Sequence, residues 1–162
     1  MNKCHFVGAF VVFLWLSQAS VSAVQWRQPD AQWLYKTLDD TELKLHVFTP
    51  EGHRSSDKRP AVIFFFGGGW NNGSPEQHYS HCAHLASRGM VAMSAEYRVK
   101  SRNQTTPKEC VEDGKSAIRW VRAHAAELGI DPNRLAAGGA SAGGHVAAAA
   151  GTVDSFDATN ED

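Results

Sequence analysis

The stretch "RLAAGGASAGGHVAAAAG", residues 134–151, decides how the chain is organised. A short apolar run leads into small residues around one hydroxyl, Ser141, and continues into an alanine-rich segment that predicts a helix. Gly139 and Gly143 stand two residues before and two residues after this serine. The pattern G-x-S-x-G is found at plain glycine-rich helix entries and at sharp strand-to-helix turns that expose a nucleophilic serine. The segments before the turn favour the second interpretation.

Strand and helix patterns alternate along the chain before this turn. Four segments have strand patterns: 41–50, 61–66, 90–98 and 134–139. Helices are predicted over about 75–87 and 107–128, the second capped by Thr106 with Pro107 and Glu109 in its first turn. This alternation predicts an α/β fold, a three-layer α/β/α sandwich around a mainly parallel sheet.

Two glycine-rich turns follow predicted strands, at residues 67–69 and 138–144. Ligands of parallel sheets bind at the carboxyl ends of the strands, so both turns are expected at one site. Free N–H groups in the first turn suit half of an oxyanion hole, and the Ala142 N–H would supply the other half. A dinucleotide-binding turn would instead follow the first strand, whereas this serine turn follows at least three others.

These motifs resemble the α/β-hydrolase superfamily, and most closely its carboxylesterases and acetyl-xylan or feruloyl-esterase-like (BD-FAE-like) proteins related to hormone-sensitive lipase. The resemblance covers roughly residues 40–151 and rests on these matches: Gly67-Gly68-Gly69-Trp70, Glu96-Tyr97-Arg98, Asp113, Ala117, Trp120 and "DPNRLAAGGASAGG" at 131–144. It implies Ser141 as the catalytic nucleophile and Gly68, Gly69 and Ala142 as oxyanion-hole donors. It implies no cofactor and no metal.

The chain departs from the family pattern at Phe66, where the family usually has a histidine that supports the glycine loop. The exact shape of the loop is therefore in question, more than the chemistry. Arg98 is predicted to be a structural ion-pair partner of Glu96 or Asp113, and Asp113 could also be only a surface helix charge.

The predicted catalytic triad is not complete in this sequence. In this fold an acid and then a histidine follow the nucleophile, but the only later histidine, His145, lies four residues along the same helix. Its ring is not expected to reach back over the serine. The later acids, Asp154, Asp157, Glu161 and Asp162, lie in a polar tail. We therefore expect the N-terminal portion of a longer hydrolase domain, incomplete at the C-terminus and inactive alone.

Residues 1–23 have the pattern of a signal peptide, with a lysine near the start, an apolar run, and small residues before a cut after Ala23. The apolar run is well short of the ~20 residues of a spanning helix, so no stable membrane anchor is expected. Residues 24–162 would form the hydrolase portion, exported to the periplasm or outside the cell. The net charge of −1 gives no indication of a nucleic-acid partner.

Two cysteines remain in the predicted mature chain, Cys82 and Cys110. Export permits a disulfide, but their predicted helices can lie on opposite faces of the sheet, so the pairing stays open. A series of histidines recurs every three residues, at His78, His81 and His84. A spacing of three rotates gradually around a helix, so the series indicates exposed surface positions more than a metal site.

The sequence therefore predicts an exported serine carboxylic-ester hydrolase of the esterase or lipase type. Its substrate would be a small-molecule ester or an acylated polysaccharide, with the acyl group, the alcohol and the oligomeric state left open. The alternative is a non-catalytic binding or adhesion module on a hydrolase fold, or an inactive fragment.

Overall fold

The structure, a computed structural model, describes residues 27–157. The predicted signal peptide, Glu161 and Asp162 lie outside the described residues. The strands are β1 (Ala31–Leu38), β2 (Thr41–Phe48), β3 (Arg59–Phe65), β4 (Val91–Ala95) and β5 (Ile130–Gly139). The α-helices are α1 (Tyr79–Ser87), α2 (Lys100–Asn103), α3 (Pro107–Ala123) and α4 (Ala142–Thr152), and a short 3₁₀ helix (Pro75–His78) precedes α1.

The strands form one sheet in the order β1-β2-β4-β3-β5. β4, β3 and β5 are parallel neighbours, whereas β2 is antiparallel to both β1 and β4. Four of the five strands therefore run in one direction and β2 runs against them. The predicted mainly parallel sheet is confirmed.

Helices cover both faces of this sheet. On one face Val62 of β3 packs in a buried cluster with Tyr79, Cys82 and Ala86 of α1. On the other face the neighbouring Ile63 belongs to a larger cluster that includes residues of α3 and α4. Successive residues of β3 thus face opposite cores, as an apolar run without alternation predicts for a strand buried on both faces. The three-layer α/β/α architecture is confirmed.

The element boundaries differ from the predicted ones in several places, and β5 begins at Ile130 rather than at residue 134. β1 was not predicted, and it forms a hairpin with β2 whose turn includes Asp39 at a φ of 47°. β4 ends at Ala95 rather than residue 98, residues 100–103 form a helix within a predicted loop, and α3 ends at Ala123. The Thr106 cap is confirmed as a capping box, in which the side chains of Thr106 and Glu109 each accept a backbone N–H of the first turn.

The two cysteines within residues 27–157 are both free and fully buried. Cys82 and Cys110 lie in different clusters on opposite faces of the sheet, which is the geometric reason that they do not pair. Burial raises the pKa of each thiol to about 12. Such thiols stay protonated at neutral pH and act as small apolar side chains.

The histidine series is only partly a surface feature. His81 and His84 are exposed as predicted, but His78 is 6% exposed, so its assignment to the surface was wrong. It lies in the 3₁₀ helix, where its ring stacks on Phe64. Within residues 27–157, no three His, Cys, Asp or Glu side chains are grouped so as to hold a metal ion. None of the helices in this range has the length and apolar character needed to cross a membrane.

Candidate active site

The two glycine-rich turns leave the sheet next to each other. β3 and β5 are parallel neighbours, and Phe65 at the end of β3 pairs with Gly139 at the end of β5. A Cβ atom on Gly67 would lie 2.9 Å from the carbonyl oxygen of Ala140, so the two turns are already in contact. The two turns, which were predicted to lie at one site at the carboxyl ends of the strands, are therefore in direct contact.

The serine turn has a strained backbone. Ser141 has a φ of 49° and a ψ of −116° at the start of α4, a conformation that non-glycine residues adopt at a cost of roughly 1–3 kcal/mol. Its side chain is exposed. Strain of this kind persists only where the surrounding structure enforces it. Here the flanking glycines permit the close backbone contacts that surround the turn.

Both flanking glycines are required sterically. A Cβ atom on Gly139 would lie 2.5 Å from the carbonyl oxygen of Gly143. A Cβ atom on Gly143 would lie 2.5 Å from the carbonyl oxygen of Phe66 and closer still to that of Phe65. These neighbours are backbone atoms that cannot swing aside. Glycine at both positions of the G-x-S-x-G pattern therefore avoids a collision with neighbouring backbone.

Three backbone N–H groups of the two turns have no acceptor among the described residues. Among the described residues, none accepts a hydrogen bond from the N–H of Gly68, Gly69 or Ala142. Ala142 begins α4, where N–H groups have no partner within the helix and the helix dipole is positive. These are the groups predicted as oxyanion donors. Their chemistry suits a negative oxygen close to the serine.

Side chains from other elements hold the segment that precedes the free donors. The Phe65 carbonyl accepts from His78 Nε2 at 3.1 Å, and the Phe66 carbonyl accepts from the Tyr97 hydroxyl at 2.6 Å. The Gly67 N–H donates to Gln77 Oε1 at 2.6 Å. Burial lowers the pKa of His78 below its ordinary value, so the ring is neutral at neutral pH. Gln77 and His78 were not predicted as site residues, because no motif marks them.

Phe66, which stands where the family usually has histidine, is fully buried. Its ring stacks on Tyr97 with the centroids 4.1 Å apart. A Cβ atom on Gly73 would lie 2.5 Å from this ring, so the loop folds tightly against it. The residue therefore supports the loop by packing, and hydrogen bonds come from neighbouring side chains.

His145 lies one turn along α4 from the serine. It is exposed, and the centroid of its ring is 5.4 Å from that of Trp70, edge to face. Of the described residues, none makes a side-chain hydrogen bond to the Ser141 hydroxyl. Asp157 pairs with Lys115 and Arg119 instead of approaching the site. Residues 27–157 thus contain the serine turn and the N–H groups predicted as oxyanion donors, without a base or an orienting acid at the serine.

Arg98 and Asp113 form a buried ion pair. Arg98 donates to the two carboxylate oxygens of Asp113 at 2.8 and 2.9 Å, and Lys36 Nζ lies 3.1 Å from the same carboxylate. Asp113 is 0% exposed, so the surface-charge interpretation was wrong and the Arg98 pairing is confirmed. Glu96 instead contacts His46 and accepts from the Lys44 N–H. This cluster ties β1, α3 and the segment after β4 together behind the site.

An open cleft of about 410 Å³ lies at the same edge of the sheet. It is lined by the start of β2, residues 73–76 and the segment after β4, with Glu42, Glu76, Glu96 and Arg102 among its side chains. Neither the serine nor the three free donors line it. The cleft is therefore adjacent to the candidate site and separate from it.

The sheet is mainly parallel, a strained serine follows one strand at its carboxyl end, and a glycine loop follows the neighbouring strand. This combination defines an α/β-hydrolase fold with a nucleophile-elbow geometry. Residues 45–162 match the model of the BD-FAE family. The chain belongs to this family.

Named relatives agree with this assignment. The chain is 35% identical over 109 residues to carboxylesterase NlhH of Mycobacterium tuberculosis, covering 67% of this chain and 33% of that protein. It is 42% identical over 93 residues to esterase LipC of the same organism, covering 57% of this chain and 23% of that protein. The chain thus spans a third or less of the length of these curated relatives.

Solved structures agree as well. Thermogutta terrifontis esterase 2 phosphonylated by cyclosarin superposes with a TM-score of 0.81 at 49% identity, over 84% of this chain and 52% of that chain. The apo form of the same esterase gives a TM-score of 0.80 at 51% identity, over 82% and 49%. The similarity therefore extends to the structure of an esterase, over about half of its length.

Proposed function

We propose that this protein is a serine carboxylic-ester hydrolase. The observation that carries the proposal is a strained, exposed Ser141 in a turn that contacts the glycine loop, together with three unengaged N–H groups in the two turns, those of Gly68, Gly69 and Ala142. The Ser141 hydroxyl attacks the ester carbonyl, and the three N–H groups donate to the oxyanion of the tetrahedral intermediate. The names of the relatives, which are carboxylesterases and esterases, support the same reaction class.

The serine needs a general base to accept its proton as it attacks, and a carboxylate to orient that base. The ring of His145 packs on Trp70 and does not bond to the serine hydroxyl. In this proposal the base and the acid are residues outside the described range. The base later returns the proton to the leaving alcohol, and water hydrolyses the acyl-serine by the same two steps.

The proposal also includes export of the protein and the class of its substrates. Export to the periplasm or cell exterior is supported by the signal-peptide pattern of residues 1–23. Small-molecule esters and acylated polysaccharides are the proposed substrates, and the sequence resemblance to acetyl-xylan or feruloyl-esterase-like proteins supports the second class. The alternative of a non-catalytic binding module is less well supported, because such a module has no use for a strained serine beside free N–H donors.

Phosphonate labelling tests the nucleophile. The esterase from Thermogutta is described as phosphonylated by cyclosarin, and organophosphonates react with activated nucleophiles. The protein expressed from its complete gene is treated with a fluorophosphonate and assayed with p-nitrophenyl acetate. We expect one label on Ser141, and loss of both label and turnover in Ser141→Ala. Ser87→Ala, at an exposed serine of α1, is the matched control. Labelling that survives Ser141→Ala would refute the assignment.

A further inference from the structure

The three-glycine run that carries two of the proposed oxyanion donors has no side chains to set its conformation. Gly67, Gly68 and Gly69 follow one another, and glycine backbones rotate more freely than any others. Gly68 and Gly69 adopt φ angles of 144° and 62°. Donors aimed at a transition state must be held in place before the reaction, since a misplacement of about 1 Å can lower the rate roughly a hundredfold. Other residues must therefore hold this loop.

Gln77 is the side chain that bonds directly to the glycine run. Its Oε1 accepts the Gly67 N–H at 2.6 Å, one peptide before the free N–H of Gly68. Within the loop, the N–H groups of Asn71 and Asn72 donate to the Gly68 carbonyl, which belongs to the same peptide as the Gly69 N–H. The chain is thus held just before the free Gly68 N–H and at the peptide that carries the free Gly69 N–H.

The 3₁₀ helix that carries Gln77 is itself anchored. Pro75 is buried, and its carbonyl accepts the buried Ser94 hydroxyl of β4 at 2.8 Å. His78, on the other side of Gln77, is buried and bonds to the Phe65 carbonyl. Two buried contacts therefore flank the exposed Gln77 and fix the position of its backbone.

We propose that Gln77 is a positioning residue for the oxyanion hole. Its side-chain amide orients the peptide that leads into Gly68, so that the N–H groups of Gly68 and Gly69 face Ser141. The inference rests on the proposed function and deepens it. Phe66 offers no side-chain donor or acceptor, so among the described residues the side-chain hydrogen bond to the glycine run comes from Gln77.

Kinetics of three variants in the protein expressed from its complete gene test the proposal. Gln77→Met keeps the length of the side chain and removes the acceptor, and Gln77→Glu restores an acceptor. Gln32→Met is the matched control, since Gln32 is exposed on β1 and its contact with His46 is 3.5 Å long. For p-nitrophenyl acetate, we expect Gln77→Met to lower kcat by about tenfold to a hundredfold, with KM within about twofold. Gln77→Glu should recover most of the lost kcat.

The outcomes separate this inference from the proposed function. An active wild type with Gln77→Met at its full kcat, or with Gln77→Glu as slow as Gln77→Met, would overturn the positioning role. A loss of activity that appears only as a raised KM would also overturn it. A wild type without turnover or Ser141 labelling would instead refute the proposed function.

Amide hydrogen exchange gives a readout that needs no turnover. We expect the Gly67 amide to exchange at least tenfold faster in Gln77→Met than in wild type, because its acceptor is gone, and to be unchanged in Gln32→Met. An unchanged Gly67 exchange rate would overturn the inference even in a protein without activity. A Gln77→Met protein that failed to fold would overturn it as well, since Gln77 would then be a stability residue.

Discussion

Substitution of Gly143 by alanine is the sharpest test of the serine turn. The added methyl group would lie 2.5 Å from the Phe66 carbonyl oxygen and closer to that of Phe65. The Phe65 carbonyl already accepts hydrogen bonds from Ala140 and His78 at 3.3 and 3.1 Å. Relief of the clash would displace the end of β3 and weaken both hydrogen bonds, each worth about 1 kcal/mol. With the strain of overpacking added, the free energy of unfolding should fall by about 3 kcal/mol.

Thermal unfolding followed by circular dichroism measures this loss. For a domain of this size, about 3 kcal/mol lowers the unfolding midpoint by about 10 °C. Gly151→Ala is the matched control on the same helix, because nothing lies within 4 Å of a Cβ at that position. It should stabilise the protein by a few tenths of a kcal/mol, since alanine favours a helix more than glycine. A Gly143→Ala protein with the wild-type midpoint would refute the steric argument.

Three further predictions follow from the strain, the buried charges and the buried histidine. Ser141→Gly should raise the free energy of unfolding by about 1 kcal/mol, because glycine tolerates the φ of 49° and alanine does not. The same variant should have no turnover. An equal gain in stability in Ser141→Ala would contradict this reasoning. Asp113→Asn should cost about 3 kcal/mol in urea denaturation, because its two cationic partners lose their counter-charge. Asp131→Asn, at the more exposed ion pair with Arg134, should cost much less. Burial lowers the pKa of His78 from 6.5 in the folded state, so the unfolded chain takes up the proton first as the pH falls. The free energy of unfolding should therefore be highest above about pH 6.5 and should decrease as the pH drops towards the folded-state pKa of His78. His78→Gln should reduce this pH dependence, and an identical slope in wild type and variant would count against it.

Local sequence was sufficient for the features that depend on neighbouring residues. Ser141 and its two glycines were predicted as a strained turn because G-x-S-x-G encodes a steric requirement within five residues. The Thr106 cap was predicted because a capping box is closed within one helical turn. The order of strands and helices followed from periodicity, and the parallel direction followed from that order.

The tertiary structure decided the features that depend on distant residues. β1 was missed because a strand at the sheet edge is stabilised by its pairing with β2 and by packing such as Trp33 on Trp120. The burial of Asp113 depends on Arg98 and Lys36, which come from other elements.

The same distinction applies to the candidate site. The sequence by itself determined which serine and which glycines lie at the carboxyl edge of the sheet. Only the folded chain placed Gln77 against Gly67 and His78 against Phe65, ten and thirteen residues apart in sequence. Hydrogen bonds across such separations have no periodicity or motif that marks them in the sequence. They form because β3, the glycine loop and the 3₁₀ helix pack against one another, and that packing is a property of the whole core.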